Sequence, residues 1–267
     1  MQRGPDVLLA VDVGNTEIVV GLFGPAGSRR ELVDHWRLSS DAARTSDELA
    51  LVFGQLVGLR GLRLDADVAG VAMCSGVPRV TAAVRELAER YLGAPPVVVG
   101  PGTRTGVPVL YENPREVGAD RIANAVGALD RFPPPIVVVD FGTATTLDAI
   151  SPAGEYLGGA IVPGVEIGLD ALYDHAALLR RVELVEPRHV IGRSTEQSIQ
   201  SGTLYGTAAL VDGLVARMEV ELGPATVVAT GGLGTLLAPL CTRVQHLEPW
   251  LTLQGLRVIF EYNQPER

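Results

Sequence analysis

The chain has 267 residues, 47% of them hydrophobic and 20% charged, a globular balance with room for one large domain or two ordinary ones. Its formal net charge of -9 argues against a nucleic-acid binder that relies on a basic surface, because phosphate neutralisation needs clustered Lys and Arg. All 22 basic residues are arginine, which excludes a Walker A phosphate loop, a protein kinase's strand lysine and any Schiff-base lysine.

In chain order the sequence predicts alternating strands and helices. Val7–Val11 and Ile18–Phe23 are apolar strands around a Gly-containing turn, and Leu32–Leu38 is a third strand with mixed faces. Thr45-Ser46-Asp47-Glu48 is a capping-box pattern that opens a helix to about Leu59. Val68–Cys74 is a strand, Pro78 suits a helix first turn, and the helix Arg79–Leu92 stops at Gly93. Pro96–Val99 is a strand and Gly100–Val109 a Gly/Pro-rich loop.

Asn113-Pro114-Arg115-Glu116 starts a helix whose apolar positions continue through Ala128. Pro133–Pro135 breaks the chain before Ile136–Val139, a β-branched strand. Helices are predicted at about Val165–Leu179 and Thr195–Leu222; Gly202, Gly206 and Gly213 in the latter predict a kink or close helix packing. Thr226–Ala229 is a strand ending in Gly231-Gly232, and Leu256–Phe260 reads as a last strand. Arg29-Arg30 and Arg180-Arg181 read as solvated pairs.

Cys74 and Cys241 are far apart and form no C-x-x-C pair, so they read as buried thiols in a reducing compartment. Met1–Leu9 shows no charged region followed by a long apolar core, so no signal peptide is expected; no stretch reaches the roughly 20 apolar residues that cross a bilayer, and the expected location is the cytoplasm. His35, His175, His189 and His246 show no ligand spacing.

The central pattern is a repeat. Leu8-Leu9-Ala10-Val11-Asp12-Val13-Gly14-Asn15-Thr16 aligns with Ile136-Val137-Val138-Val139-Asp140-Phe141-Gly142-Thr143-Ala144, an offset of 128 residues. It predicts two similar α/β domains, 1–128 and 129–267, facing each other across a cleft. A tight turn between strands exposes backbone N–H groups, glycine lets a ligand approach, and such nests attract anions. Asn15, Thr16, Thr143, Thr145 and Thr146 add neutral donors, and Asp12 and Asp140 can hold a cation that offsets phosphate charge. One Asp-x-Gly turn alone is a weak signal, with an ordinary turn as its plain alternative; two at matched positions point to phosphate.

At these residues the sequence resembles the actin/Hsp70/sugar-kinase superfamily and, within it, the type III pantothenate kinases. Asp12-Val13-Gly14-Asn15-Thr16, Gly118-Ala119-Asp120-Arg121, Asp140–Thr146, Gly158–Gly164 and Ser194–Ser198 resemble that family's blocks, in its order and over nearly the whole chain. The resemblance implies two tandem actin-like (ribonuclease H-like) domains with an ATP cleft between them. It implies transfer of phosphate from ATP to pantothenate, the first step of coenzyme A biosynthesis, with Mg²⁺ and a monovalent cation, K⁺ or NH₄⁺.

Carried over residue by residue, Asp12, Val13, Gly14, Asn15, Thr16, Glu17, Ile18 and Val19 would line the ATP phosphates, joined by Thr143. Asp120 would be the general base. Tyr111, Gly118, Ala119, Asp120 and Arg121 would hold pantothenate, Thr195 would reach it from the partner subunit of a homodimer, and Asp140 would bind the monovalent cation. From the residues alone, Asp120-Arg121 is more simply a structural pair at a helix start. Two rivals stand beside this reading: a sugar or polyol kinase with another acceptor pocket, and a non-catalytic nucleotide-binding regulator that would not need Asp12, Asp120 and Asp140 together.

Overall fold

The computed structural model describes residues 6–25, 31–176 and 179–264; Arg29-Arg30 lies outside them. Two compact units emerge. Met1–Pro108, Glu112–Asp130 and Leu251–Arg267 form the first, and Val109–Tyr111 with Arg131–Trp250 the second. The chain passes from the first unit to the second after Asp130, and the C-terminal segment from Leu251 clusters with the first unit.

The first unit opens with an antiparallel meander, β1 (Val7–Val13), β2 (Glu17–Phe23) and β3 (Leu32–Ser39). α1 (Ser46–Gly58) begins with the expected capping box: the Glu48 amide donates to the Thr45 hydroxyl, and the Thr45 amide donates to the Glu48 carboxylate at 2.8 Å. The short α2 (Leu64–Asp67) leads into β4 (Val68–Ser75), parallel to β1. α3 (Pro78–Leu87) continues as a π-helical turn, Ala88–Leu92, and ends at Gly93 with φ 74°. β5 (Val97–Val98) completes the order β3-β2-β1-β4-β5. Leu9, Val11 and Val13 point from β1 into a core with Leu49, Phe53, Val84 and Leu87. Burying each such side chain stabilises the fold by about 1.5–3 kcal/mol. α4 (Ala119–Arg131) also belongs here and is buried along Arg121–Ala128.

The second unit repeats the plan. β6 (Ile136–Phe141), β7 (Ala144–Ile150) and β8 (Tyr156–Pro163) form the meander. α5 (Val165–His175) and α6 (Thr195–Leu222) follow, then β9 (Thr226–Thr230), parallel to β6, the short α7 (Gly234–Leu237) and β10 (His246–Leu247). The order β10-β9-β6-β7-β8 matches that of the first sheet strand for strand. No helix among the described residues is long and apolar enough to cross a membrane.

Three expectations are corrected. Leu256–Phe260 lies in a helix, α8 (Leu251–Tyr262), because Leu253, Leu256, Ile259 and Phe260 recur at helical spacing and are buried; the β-branched look of the segment misleads. α8 packs on β1 and β4, where Gly70 lies against the Phe260 ring. The helix expected to reach Leu179 ends at His175; residues 177–178 lie outside the described ones. A Cβ on Gly202, Gly206 or Gly213 would meet nothing within 4 Å, so those glycines mark no close crossing among the described residues.

Candidate active site

The β1–β2 turn is closed by the Gly14 amide donating to the Glu17 carbonyl at 2.9 Å, leaving Gly14, Asn15, Thr16 and Glu17 exposed. Glu17 pairs with Arg37 at 2.6 Å. Val13 and Ile18 are each 1% exposed and pair across the ladder, so their side chains belong to the core. Val19 is half-buried.

Asp12 is the penultimate residue of β1. It is opposite Cys74 in the parallel β1–β4 register, and the Cys74 thiol donates to its carboxylate at 3.1 Å. Protein atoms surround Asp12, although a small edge of it meets solvent. Burial pushes its carboxyl up from 3.8 to about 6, opposed by the thiol and reinforced by the charge of Asp120. Burial and the charges of Asp12 and Asp120 raise the Cys74 thiol well above its ordinary value, so it remains a protonated donor.

These directions have a testable consequence. The unfolded Asp12 titrates near 3.8 and the folded one near 6, so folding is favoured at low pH and loses stability as pH rises through that window. The gap corresponds to about 3 kcal/mol of penalty above pH 6. In the absence of nucleotide, Asp12→Asn is therefore expected to melt higher than the parent at pH 7.5, with the difference closing by about pH 4. Parallel thermal melts across pH check this; a variant less stable at pH 7.5 contradicts it.

Asp120 is exposed in the first turn of α4, where a carboxylate suits the helix dipole. Its Oδ1 accepts the Arg121 backbone N–H at 2.9 Å, and a Cβ on Gly118 would stand 2.4 Å from that oxygen. Glycine at 118 thus leaves room for this carboxylate position. Ala119 and Gly118 are half-buried, and Arg121 is buried.

The remaining candidates lie in the second unit. The β6–β7 turn is one residue shorter than its counterpart: the Gly142 amide donates to the Ala144 carbonyl at 3.1 Å, and Gly142 and Thr143 are exposed. Thr145 is 1% exposed and Thr146 donates to Asp148, so neither hydroxyl is displayed as the sequence pattern suggested. Gly164 presses on this turn, and its Cβ would lie 2.2 Å from the Thr143 carbonyl oxygen. Asp140 is the penultimate residue of β6; Gly231, at φ 93°, packs so closely that a Cβ there would be 2.4 Å from Asp140 Oδ1. No L side chain fits at either glycine without movement.

Tyr111 lies beside β8, its ring 6.4 Å from that of Tyr156. Thr195 is the exposed first residue of α6, after an N-cap in which Ser194 accepts the Gln197 amide. It borders a groove of about 480 Å³ with Leu172, Leu179, Ser198, Ile199, Gly202 and Thr203. Asp12 and Asp120 thus share one unit, while Asp140, Thr143, Tyr111 and Thr195 share the other. Sequence reasoning missed Cys74 as a partner of Asp12; only the β1–β4 register brings them together.

The donor set fits nucleotide and cation. Turn amides and hydroxyls suit phosphate oxygens, and a buried carboxylate whose charge is disfavoured beside a second carboxylate suits a hard cation. Comparison with known proteins agrees. The family described as type III pantothenate kinase matches residues 8–217. A type III pantothenate kinase of Streptomyces griseus subsp. griseus is 50% identical over 265 residues, covering 96% of this chain and 98% of its own. One of Moorella thermoacetica is 50% identical over 258 residues, with 96% and 100% covered. In fold the chain is similar to the inorganic polyphosphate/ATP-glucomannokinase of Arthrobacter sp. strain KM, with TM-score 0.50, 15% identity, and 98% and 100% covered. It is likewise similar to the ethanolamine utilization protein EutJ of Carboxydothermus hydrogenoformans, with TM-score 0.53, 14% identity, and 96% and 90% covered. With two mixed five-stranded sheets of the same order and a family match spanning most of its length, the chain belongs to the type III pantothenate kinases.

Proposed function

We propose that Asp120 is the general base with which this pantothenate kinase transfers a phosphoryl group from ATP to the primary hydroxyl of pantothenate, giving ADP and 4′-phosphopantothenate for coenzyme A biosynthesis. The observation that carries this assignment is the Asp120 carboxylate itself, exposed yet fixed by the Arg121 amide at 2.9 Å over Gly118. Phosphoryl transfer passes through a loose transition state, so positioning and charge stabilisation matter most. The hydroxyl oxygen attacks the γ-phosphorus, its proton passes to Asp120, and ADP departs.

The Gly14–Glu17 turn and the Thr143 turn would receive the phosphates, with Asp12, Val13, Ile18 and Val19 completing the first strand pair. Val13 and Ile18 are core side chains and support this role through the backbone. The divalent ion that accompanies ATP would be held near Asp12 and would neutralise charge developing on the phosphates. Tyr111, Gly118, Ala119, Arg121 and Thr195 would hold pantothenate. A coupled ADP-release assay with pantothenate, glucose and glycerol as acceptors tests the reading. Turnover with pantothenate alone supports it, and turnover only with a sugar or polyol refutes the acceptor.

Asp140 is our candidate for the monovalent cation, K⁺ or NH₄⁺, supported by a carboxylate near the end of β6 lodged against a glycine at positive φ. Asp140→Ala is expected to abolish stimulation by K⁺; equal stimulation of parent and variant contradicts the assignment. We further propose a homodimer in the cytoplasm. Exposed Ile161, Ile167, Leu172 and Leu210 and the groove beside Thr195 give the second unit apolar surface for a second copy.

A further inference from the structure

We propose that Tyr156 is a positioning residue for pantothenate, acting with Gly158 to fix the Tyr111 ring; this rests on the assignment of Tyr111 as a substrate contact. Tyr156 and Asp148 are both 0% exposed, and the Tyr156 hydroxyl donates to the Asp148 carboxylate at 2.7 Å. Asp148 also accepts from the Thr146 hydroxyl at 3.2 Å. A carboxylate is costly to bury without hydrogen bonds, and phenylalanine would be the simpler core filler at 156. The tyrosine–aspartate bond instead anchors the tip of the Tyr156 ring.

That ring is the platform for a three-residue strap. Val109–Tyr111 clusters with the second unit although Pro108 and Glu112, on either side, belong to the first. The strap is tied at Tyr156: Val109 forms a parallel bridge with it, and the Leu110 amide donates to its carbonyl at 2.8 Å. The Tyr111 ring then tilts 51° to that of Tyr156 at a 6.4 Å centroid distance, within the range of favourable aromatic pairs. Gly158, at φ 120°, completes the seat, since a Cβ there would stand 3.0 Å from Tyr111 Cε2 and 3.1 Å from Cδ2. Backbone ties set where Tyr111 emerges, the Tyr156 ring packs against it, and the bare Gly158 leaves room for its ring edge.

The experiment is a steady-state comparison of Tyr156→Phe, Gly158→Ala, Tyr111→Ala and the double variant Tyr111→Ala/Tyr156→Phe, varying pantothenate and ATP in turn. Tyr156→Phe is expected to raise KM for pantothenate about 5-fold, the size of one ordinary hydrogen bond, with KM for ATP unchanged. Gly158→Ala is expected to raise it at least as much. Because it leaves the Tyr156–Asp148 bond in place, it reads the same property should Tyr156→Phe fold poorly. In the Tyr111→Ala background, Tyr156→Phe is expected to add nothing, which a merely structural role would not produce. Parental pantothenate KM in Gly158→Ala and Tyr156→Phe, equal rises in both KM values, or full additivity with Tyr111→Ala would each overturn the inference while leaving Tyr111 as a contact. A Tyr111→Ala enzyme with parental KM for pantothenate would instead remove the assignment of Tyr111, and this inference with it.

Discussion

Asp120→Asn is expected to lower kcat by about 10²–10⁴-fold, the usual contribution of a general base, or about 3–5.5 kcal/mol of barrier. KM for ATP and the melting temperature are expected to change little. Asparagine keeps an oxygen able to accept the Arg121 amide and still suits a helix first turn. The proton-accepting charge is lost, together with its repulsion of Asp12 and about 0.3–1 kcal/mol of helix-dipole interaction at an exposed site. Steady-state kinetics with a thermal melt separate these terms. Near-parental kcat in a folded variant would remove Asp120 as the base.

The largest stability effect is expected at Gly255. A Cβ there would lie 1.8 Å from the Ala123 carbonyl oxygen and 2.6 Å from its carbon, while a Cβ on Gly127 would lie 2.5 Å from the Leu251 carbonyl oxygen. These neighbours are backbone, so no side-chain rotation relieves the overlap, and α8 must move off α4. Gly255→Ala is therefore expected to cost about 3 kcal/mol in denaturant unfolding, the upper range for overpacking. Because Asp120 sits in the first turn of α4, turnover should fall with it. Gly54→Ala in α1 is the control: its Cβ meets nothing within 4 Å, so alanine is expected to stabilise by about 0.5–1 kcal/mol. Equal effects at the two positions would contradict the account of the crossing.

Much of this architecture can be read in local pattern. The repeat of Leu8–Thr16 at Ile136–Ala144 reappears as two sheets of identical strand order, the Thr45–Glu48 box caps α1, and α6 spans Thr195–Leu222 as its sequence signals. Local pattern fails where long-range packing decides. Leu256–Phe260 looks β-branched, yet burial against β1 and β4 makes it helical. β8 is hidden in sequence by Gly158, which takes φ 120° against the Tyr111 ring, and by Gly159, where the Leu147 carbonyl approaches too closely for a side chain. The site shows the same division. The motifs reveal which residues carry oxygen and charge, but not that Val13, Ile18 and Thr145 turn inward or that Cys74 donates to Asp12. The last contact depends on pairing between strands more than fifty residues apart, which no local spacing encodes.

The most direct test of the central claim is the mass of the product. Purified chain incubated with ATP, Mg²⁺ and pantothenate should convert pantothenate to a species heavier by one phosphoryl group, in step with ADP, and the Asp120→Asn variant should not. Stoichiometric ADP without phosphorylated pantothenate, or undiminished product from the variant, would contradict the account.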